Sequence, residues 1–291
     1  NITVTQIEAD NLLKGNFSPS DYTSSSPITA PSQIFNGIEN EISPDSLKSY
    51  IVRLADFGTR NSGSDTLSST RGFGAARNWV YDKFEEFSAA NDNRLIPSFL
   101  SFEQNICSVS KHKNIFSVLP GSDTSNHELI LFEGHMDSRC AGLCDTACAA
   151  EGVEDNASGT ALVMELARVM SKYTFPQTIV FLVTTAEEQG LFGANAFARY
   201  AQDNDLKIKA VFNNDVIGGV ACGATSSAPS CPGLDHIDSL QVRLFSNGNF
   251  NSRNKQLARF IKLEYQEELE PQSAVPMTLT IMTSEDRTGR G

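Results

Sequence analysis

Leu129-Ile130-Leu131-Phe132, Ile179-Val180-Phe181-Leu182-Val183 and Ala210-Val211-Phe212 are three short apolar runs in the middle of the chain. The first two lack any alternation of polar and apolar residues, the pattern of strands covered on both faces. Helical spacing fills the intervals, predicting helices near 158–172 and 191–203. Further strands are expected near 98–103, 113–118, 239–245 and 276–283, with a helix near 253–268. Strand and helix thus alternate from about residue 95 onward. The reading is an α/β fold: a mixed, mostly parallel central sheet sandwiched by helices.

Each of the three runs leads into an acidic or imidazole side chain. His135 follows the first, Glu187 and Glu188 the second, Asp215 the third, and Asp155 stands between the first two. In an open α/β sheet ligands bind outside the carboxyl ends of the strands. Taken singly, each residue has a plain structural use. Asp155 can serve the first turn of the helix after it, and Glu187-Glu188 can open a helix as a solvated pair. Taken together, four groups at neighbouring strand ends form an oxygen-and-nitrogen donor set suited to divalent cations. Asp137, two residues past His135, can accept the second imidazole N–H and fix the tautomer for metal binding. The adjacent Glu187 and Glu188 point in different directions, so one can bind metal while the other holds a water.

The remaining chain is read more coarsely. Residues 1–40 are rich in Ser, Thr, Pro and Asn without a clean period, and are expected to form an N-terminal strap with one short strand near Asn1–Ile7. Ser43-Pro44-Asp45 supplies a cap and a first-turn proline for a helix carrying Leu47, Tyr50, Ile51 and Leu54. A Gly/Ser/Thr/Asn loop spans 58–70, and a second helix carries Ala76, Trp79, Val80, Phe84 and Phe87. Residues 41–291 are expected to form the catalytic domain. The 291 residues are 40% apolar with a formal net charge of −12. Such a chain can build a sizeable core, and its acidity argues against nucleic acid or an anionic membrane as partner. No apolar run approaches a membrane span.

Six cysteines are present. Cys222 and Cys231 bracket a small-residue loop and read as a local disulfide, whereas Cys107, Cys140, Cys144 and Cys148 allow three pairings. Cys140, Cys144 and Cys148 could line one helix face as cluster ligands, but no suitable context follows, and disulfides in a loop over the site are expected. The even count suggests an oxidising compartment, hence secretion.

Gly134-His135-Met136-Asp137-Ser138, Glu154-Asp155-Asn156-Ala157-Ser158-Gly159, Ala186-Glu187-Glu188-Gln189-Gly190 and Asn213-Asn214-Asp215 resemble, in order and spacing, the secreted two-zinc aminopeptidases of bacteria, the leucyl-aminopeptidase type. The likeness covers roughly residues 42 to 291. It implies His135 and Asp215 on separate zinc ions with Asp155 bridging them, Glu188 on one of the two, and a cis peptide between Asp155 and Asn156. It further implies removal of N-terminal residues from peptides with a free amino terminus, through a zinc-bridged hydroxide with Glu187 as general base. The family uses a fifth ligand, a histidine well downstream of Asp215. His236 stands too early for that role and no histidine follows it, so part of the C-terminal region is expected to be missing. Two other readings keep the fold: a single-zinc glutaminyl cyclase, and a binding module without catalysis.

Overall fold

The computed structural model describes residues 1–64, 66–125, 127–223 and 231–282. The chain forms two compact units, Asn1–Asp215 and Val216–Gly291.

The first unit is built on a six-stranded sheet. Its strands are β1 (Ile2–Val4), β2 (Ile96–Ile106), β3 (Val109–Leu119), β4 (Leu129–His135), β5 (Thr178–Thr184) and β6 (Ile208–Asn213), in the order β1-β2-β3-β5-β4-β6. The β4 strand runs parallel to both its neighbours, while β1–β2, β2–β3 and β3–β5 pair antiparallel. The sheet is therefore mixed, as expected. Parallel pairing is confined to β5-β4-β6, however, so "mostly parallel" describes the strands around the site and not the sheet. Apolar runs report burial and carry no information about strand direction, which explains the difference.

Every residue of β5 is buried. Its side chains divide by parity between two cores. Ile179, Phe181 and Val183 join helices α3 (Pro44–Ala55), α4 (Gly72–Ala89) and α5 (Gly159–Met170) on one face. Val180 and Leu182 join α1 (Ile7–Leu13) and α6 (Phe192–Asp203) on the other. This period-two division makes a continuous apolar run the right sequence for a strand with two covered faces. At the start of α3, the Ser43 side chain accepts the Ser46 N–H at 3.2 Å and Pro44 occupies the first turn, as its sequence predicts.

Residues 1–40 are more ordered than a strap. Besides β1 they hold α1 and α2 (Pro31–Glu41). The seven-residue α1 buries Ala9, Leu12 and Leu13 against the sheet, a pattern spanning too few turns to stand out as a period.

The chain crosses from β4 through α5 to β5, then through α6 back over to β6 on the far side of β4. With α5 on one face and α6 on the other, the carboxyl end of β4 is a topological switch point, where open α/β sheets form their ligand crevice.

The second unit contains β7 (Gln241–Phe245), α7 (Arg253–Glu264) and β8 (Thr278–Met282), with β7 and β8 paired in parallel. These match the strands and helix expected there; the final residue of the expected 276–283 strand lies outside the described residues.

Candidate metal centre

His135 is the last residue of β4 and is almost wholly buried. Its Nδ1 lies 3.1 Å from the main-chain carbonyl of Asp137. A carbonyl can only accept, so Nδ1 carries the hydrogen and Nε2 faces the crevice. There Nε2 meets Asp155 Oδ1 at 3.2 Å and Asp215 Oδ1 at 3.4 Å. One donor atom from each of these three residues falls within 4.8 Å of the others. Burial alone would lower the imidazole pKa, but Asp137, Asp155 and Asp215 outweigh it and hold the group well above its ordinary range. A positive charge is favoured between Nε2 and the two carboxylates, whether a proton or a metal ion. Asp215 Oδ1 is buried and, among the described residues, has no hydrogen bond to satisfy it beyond this long approach to His135 Nε2. An unsatisfied carboxylate oxygen facing an imidazole nitrogen is a donor set that suits a divalent cation, so the residues present fit the metal the motifs imply.

Asp155 reaches this position through an irregular segment. The Asp155–Asn156 peptide is cis, as the resemblance implies. The Asn156 side chain fixes the turn, donating to the Asn214 carbonyl at 2.9 Å and accepting the Gly159 N–H at 2.9 Å. Gly159 sits so close to the chain before Asp215 that a Cβ there would lie 2.0 Å from the Asn214 carbonyl oxygen. Asn214 in turn donates its main-chain N–H to Glu133 O at 2.8 Å, tying the end of β6 to β4.

The fully buried Asp137 carboxylate accepts two main-chain hydrogen bonds, from the N–H of Glu187 to Oδ1 and from the N–H of Glu188 to Oδ2, each at 3.1 Å. Its Oδ1 stands 3.5 Å from His135 Nδ1. The Asp137 carbonyl is the nearer acceptor for the imidazole N–H, and the carboxylate stands just beyond it, where it still favours the charged imidazole. Glu188 does not join the His135–Asp155–Asp215 group. Its carboxylate takes a 2.6 Å bond from Arg139 Nε. Burial raises the Glu188 pKa; Arg139 opposes the rise, and Asp155 and Asp137 add to it.

Several residues that hold the site were not singled out in the sequence. Arg60, wholly buried, donates to the carbonyls of Met136 (2.7 Å), Leu54 (3.0 Å), Glu151 (2.6 Å) and Gly152 (2.8 Å). It thereby fixes both the segment after His135 and the segment before Asp155. Burial pulls its pKa down to about 10, against the pull of Asp137 and Asp155. Thr160 Oγ1 donates to the His135 carbonyl at 2.9 Å. Glu133, inside β4, accepts from Thr184 Oγ1 at 2.7 Å; burial pushes its carboxyl up to about 7.

The loop between His135 and Asp155 carries three of the six cysteines, Cys140, Cys144 and Cys148. Cys107 pairs with Cys144, Cys140 with Cys148, and Cys222 with Cys231. The third is the local staple expected, and the first two leave no thiol for an iron–sulfur cluster. The Leu143 carbonyl in this loop accepts from Asn61 Nδ2 at 2.9 Å and from Gln189 Nε2 at 3.2 Å, so the loop is held beside the Glu187-Glu188 segment.

Residues 114–228 match the model of Peptidase family M28. That span contains His135, Asp137, Asp155, Glu187, Glu188 and Asp215. Curated relatives include a "probable zinc metalloprotease" of Pyrenophora teres f. teres, 28% identical over 275 residues (90% of this chain, 56% of the relative). Another, from Pyrenophora tritici-repentis, is 30% identical over 275 residues (90% and 62%). The chain spans a little over half the length of such relatives. Among solved structures, the LapA aminopeptidase of Legionella pneumophila superposes with a TM-score of 0.62 at 18% identity, covering 91% of this chain and 62% of that one. The glutaminyl cyclase of Porphyromonas gingivalis superposes at 0.57 and 15%, covering 86% and 78%. The two solved structures show that the chain shares their α/β fold.

Proposed function

We propose that the chain is the catalytic part of a zinc-dependent peptidase that removes N-terminal residues from peptides bearing a free amino terminus, working with two zinc ions. The convergence of His135, Asp155 and Asp215 within 4.8 Å, with Asp215 Oδ1 buried and, among the described residues, without a close hydrogen bond, carries this reading. The M28 match over the same residues and the zinc-metalloprotease relatives support it.

In this reading His135 Nε2, Asp155 and Asp215 hold metal, with Glu188 as a further ligand. When bound, zinc supplies a Lewis acid beside the scissile carbonyl and lowers the pKa of water there. The Glu187 carboxylate takes a proton from the attacking water and hands it to the departing amine. Asp137 positions that base through the Glu187 and Glu188 amides. Arg60 and Thr160 keep the His135 segment from shifting as charge develops. Among the described residues no helix is long and apolar enough to cross a membrane. The three disulfides favour a secreted protein.

An amino-acid p-nitroanilide assay with and without chelator tests the assignment. Chelator-sensitive release of the free amino acid is the expected result. Conversion of an N-terminal glutaminyl peptide to its cyclised form, without amino-acid release, would reassign the chain to the cyclase chemistry.

A further inference from the structure

Arg77 lies on α4, above the part of the sheet formed by β1, β2 and β3. Its Nε is buried and, among the described residues, has no hydrogen-bond partner. Burial lowers its pKa, and among the described residues no carboxylate acts against the shift. Lys113, on β3, is also pulled down by burial and by the charge of Arg77. Two cations are therefore held together, partly out of water, in a chain whose net charge is −12. Leaving partly buried cations without a counter-charge is costly, and like charges at close range add to the cost.

These side chains line a cleft of about 380 Å³. Strand register explains its composition. Thr3 pairs with Ser101, and Ser101 with Lys113, while Glu103 pairs with Lys111 in the next row. Alternate residues share a face, so hydroxyls and ammonium groups stand side by side beneath Arg77. Lys113 is fixed by its own packing: Nζ lies 5.0 Å from the Phe99 ring centre, and Phe99 stacks on Tyr81 of α4 at 4.6 Å. Among the described residues, Glu103 is the one carboxylate lining the cleft, against Arg77, Lys111 and Lys113.

We propose that this cleft binds an oxyanion, the carboxylate, sulfate or phosphate group of a small molecule, with the Arg77 guanidinium as its anchor. A guanidinium presents paired N–H donors that match the oxygens of such groups. Lys113 and Lys111 add charge, and Ser101 and Thr3 add hydroxyl donors. The volume exceeds that of a bare inorganic anion and falls within the range of small-molecule pockets, leaving room for the group that bears it. None of these residues belongs to the His135 cluster, so the inference stands apart from the peptidase reading.

The test is calorimetric titration and thermal denaturation of the metal-loaded full chain with inorganic phosphate, sulfate or acetate, each matched in ionic strength with chloride. Saturable binding and a raised melting temperature with at least one of the three are expected. Comparison of the three identifies whether the site prefers a carboxylate or a tetrahedral anion. Arg77→Gln should weaken that binding by about tenfold or more, while His135→Ala should leave it intact. If Arg77→Gln does not fold, Lys113→Gln carries the same comparison. Binding unchanged in the folded variant of this pair, binding lost only in His135→Ala, or no response to any of the three anions would overturn the proposal.

Discussion

The Asp137 carboxylate accepts the main-chain N–H of Glu187 at 3.1 Å, and its other oxygen accepts that of Glu188 at the same distance. A buried carboxylate two residues past His135 thus sets the position of both glutamates after β5. The fold brings the ends of β4 and β5 together, and this clamp holds them in register.

The clamp makes Asp137→Asn informative. An amide offers one carbonyl oxygen where the carboxylate offers two, and its NH₂ would face a main-chain N–H. Turnover should fall, and zinc affinity should weaken by about tenfold or more, because the His135 and glutamate segments both lose their anchor. Zinc content after dialysis and kcat measured at saturating zinc separate the two effects. Unchanged values for both would remove Asp137 from the positioning role.

Glu187→Gln should retain the fold and the metal yet lose roughly two to four decades of kcat, since an amide cannot take a proton from water. Steady-state kinetics with metal analysis on the same sample checks this. Near-native turnover would transfer the base role elsewhere.

Glu133 gives a pH signature in the chelated protein. Its carboxyl sits near 7 when folded and starts from 4.5 when free. Between those values the folded state binds more protons, so the Glu133 contribution to stability is intact below about pH 4.5 and is lost as pH rises through about 7. The full loss is about 3 kcal/mol. Glu133→Gln should flatten that part of the stability curve in denaturant titrations across this window. Parallel curves for variant and parent would show that Glu133 titrates normally.

The Cys107–Cys144 bridge ties the β2–β3 turn to the loop between His135 and Asp155. Replacing both cysteines by serine should cost about 3 kcal/mol, read as a lower melting temperature. Activity should fall more steeply with temperature than in the parent. A variant as stable as the parent would mean that Asn61 and Gln189 suffice to hold the loop.

Much of this site was legible in the sequence because His135, Asp155 and Asp215 follow or separate strands built around short apolar runs. Position along the chain then translates directly into position at the sheet's end. The α3 boundary was equally plain from Ser43-Pro44. Arg60 was hidden for the opposite reason: it lies in a Gly/Ser/Thr/Asn loop with no period, and its four acceptors are main-chain carbonyls, which leave no mark on composition. Arg139 was hidden likewise, since nothing local pairs it with a glutamate 49 positions on. Strand direction in β1–β3 was hidden because both directions bury the same side chains.

Zinc titration of the chelated protein by calorimetry tests the central claim most directly. The parent should bind zinc with a stoichiometry of about two, and His135→Ala, Asp155→Ala and Asp215→Ala should each abolish or sharply weaken at least one binding event while keeping the fold by circular dichroism. Zinc bound as tightly by all three variants as by the parent, or no zinc bound by the parent, would contradict the account.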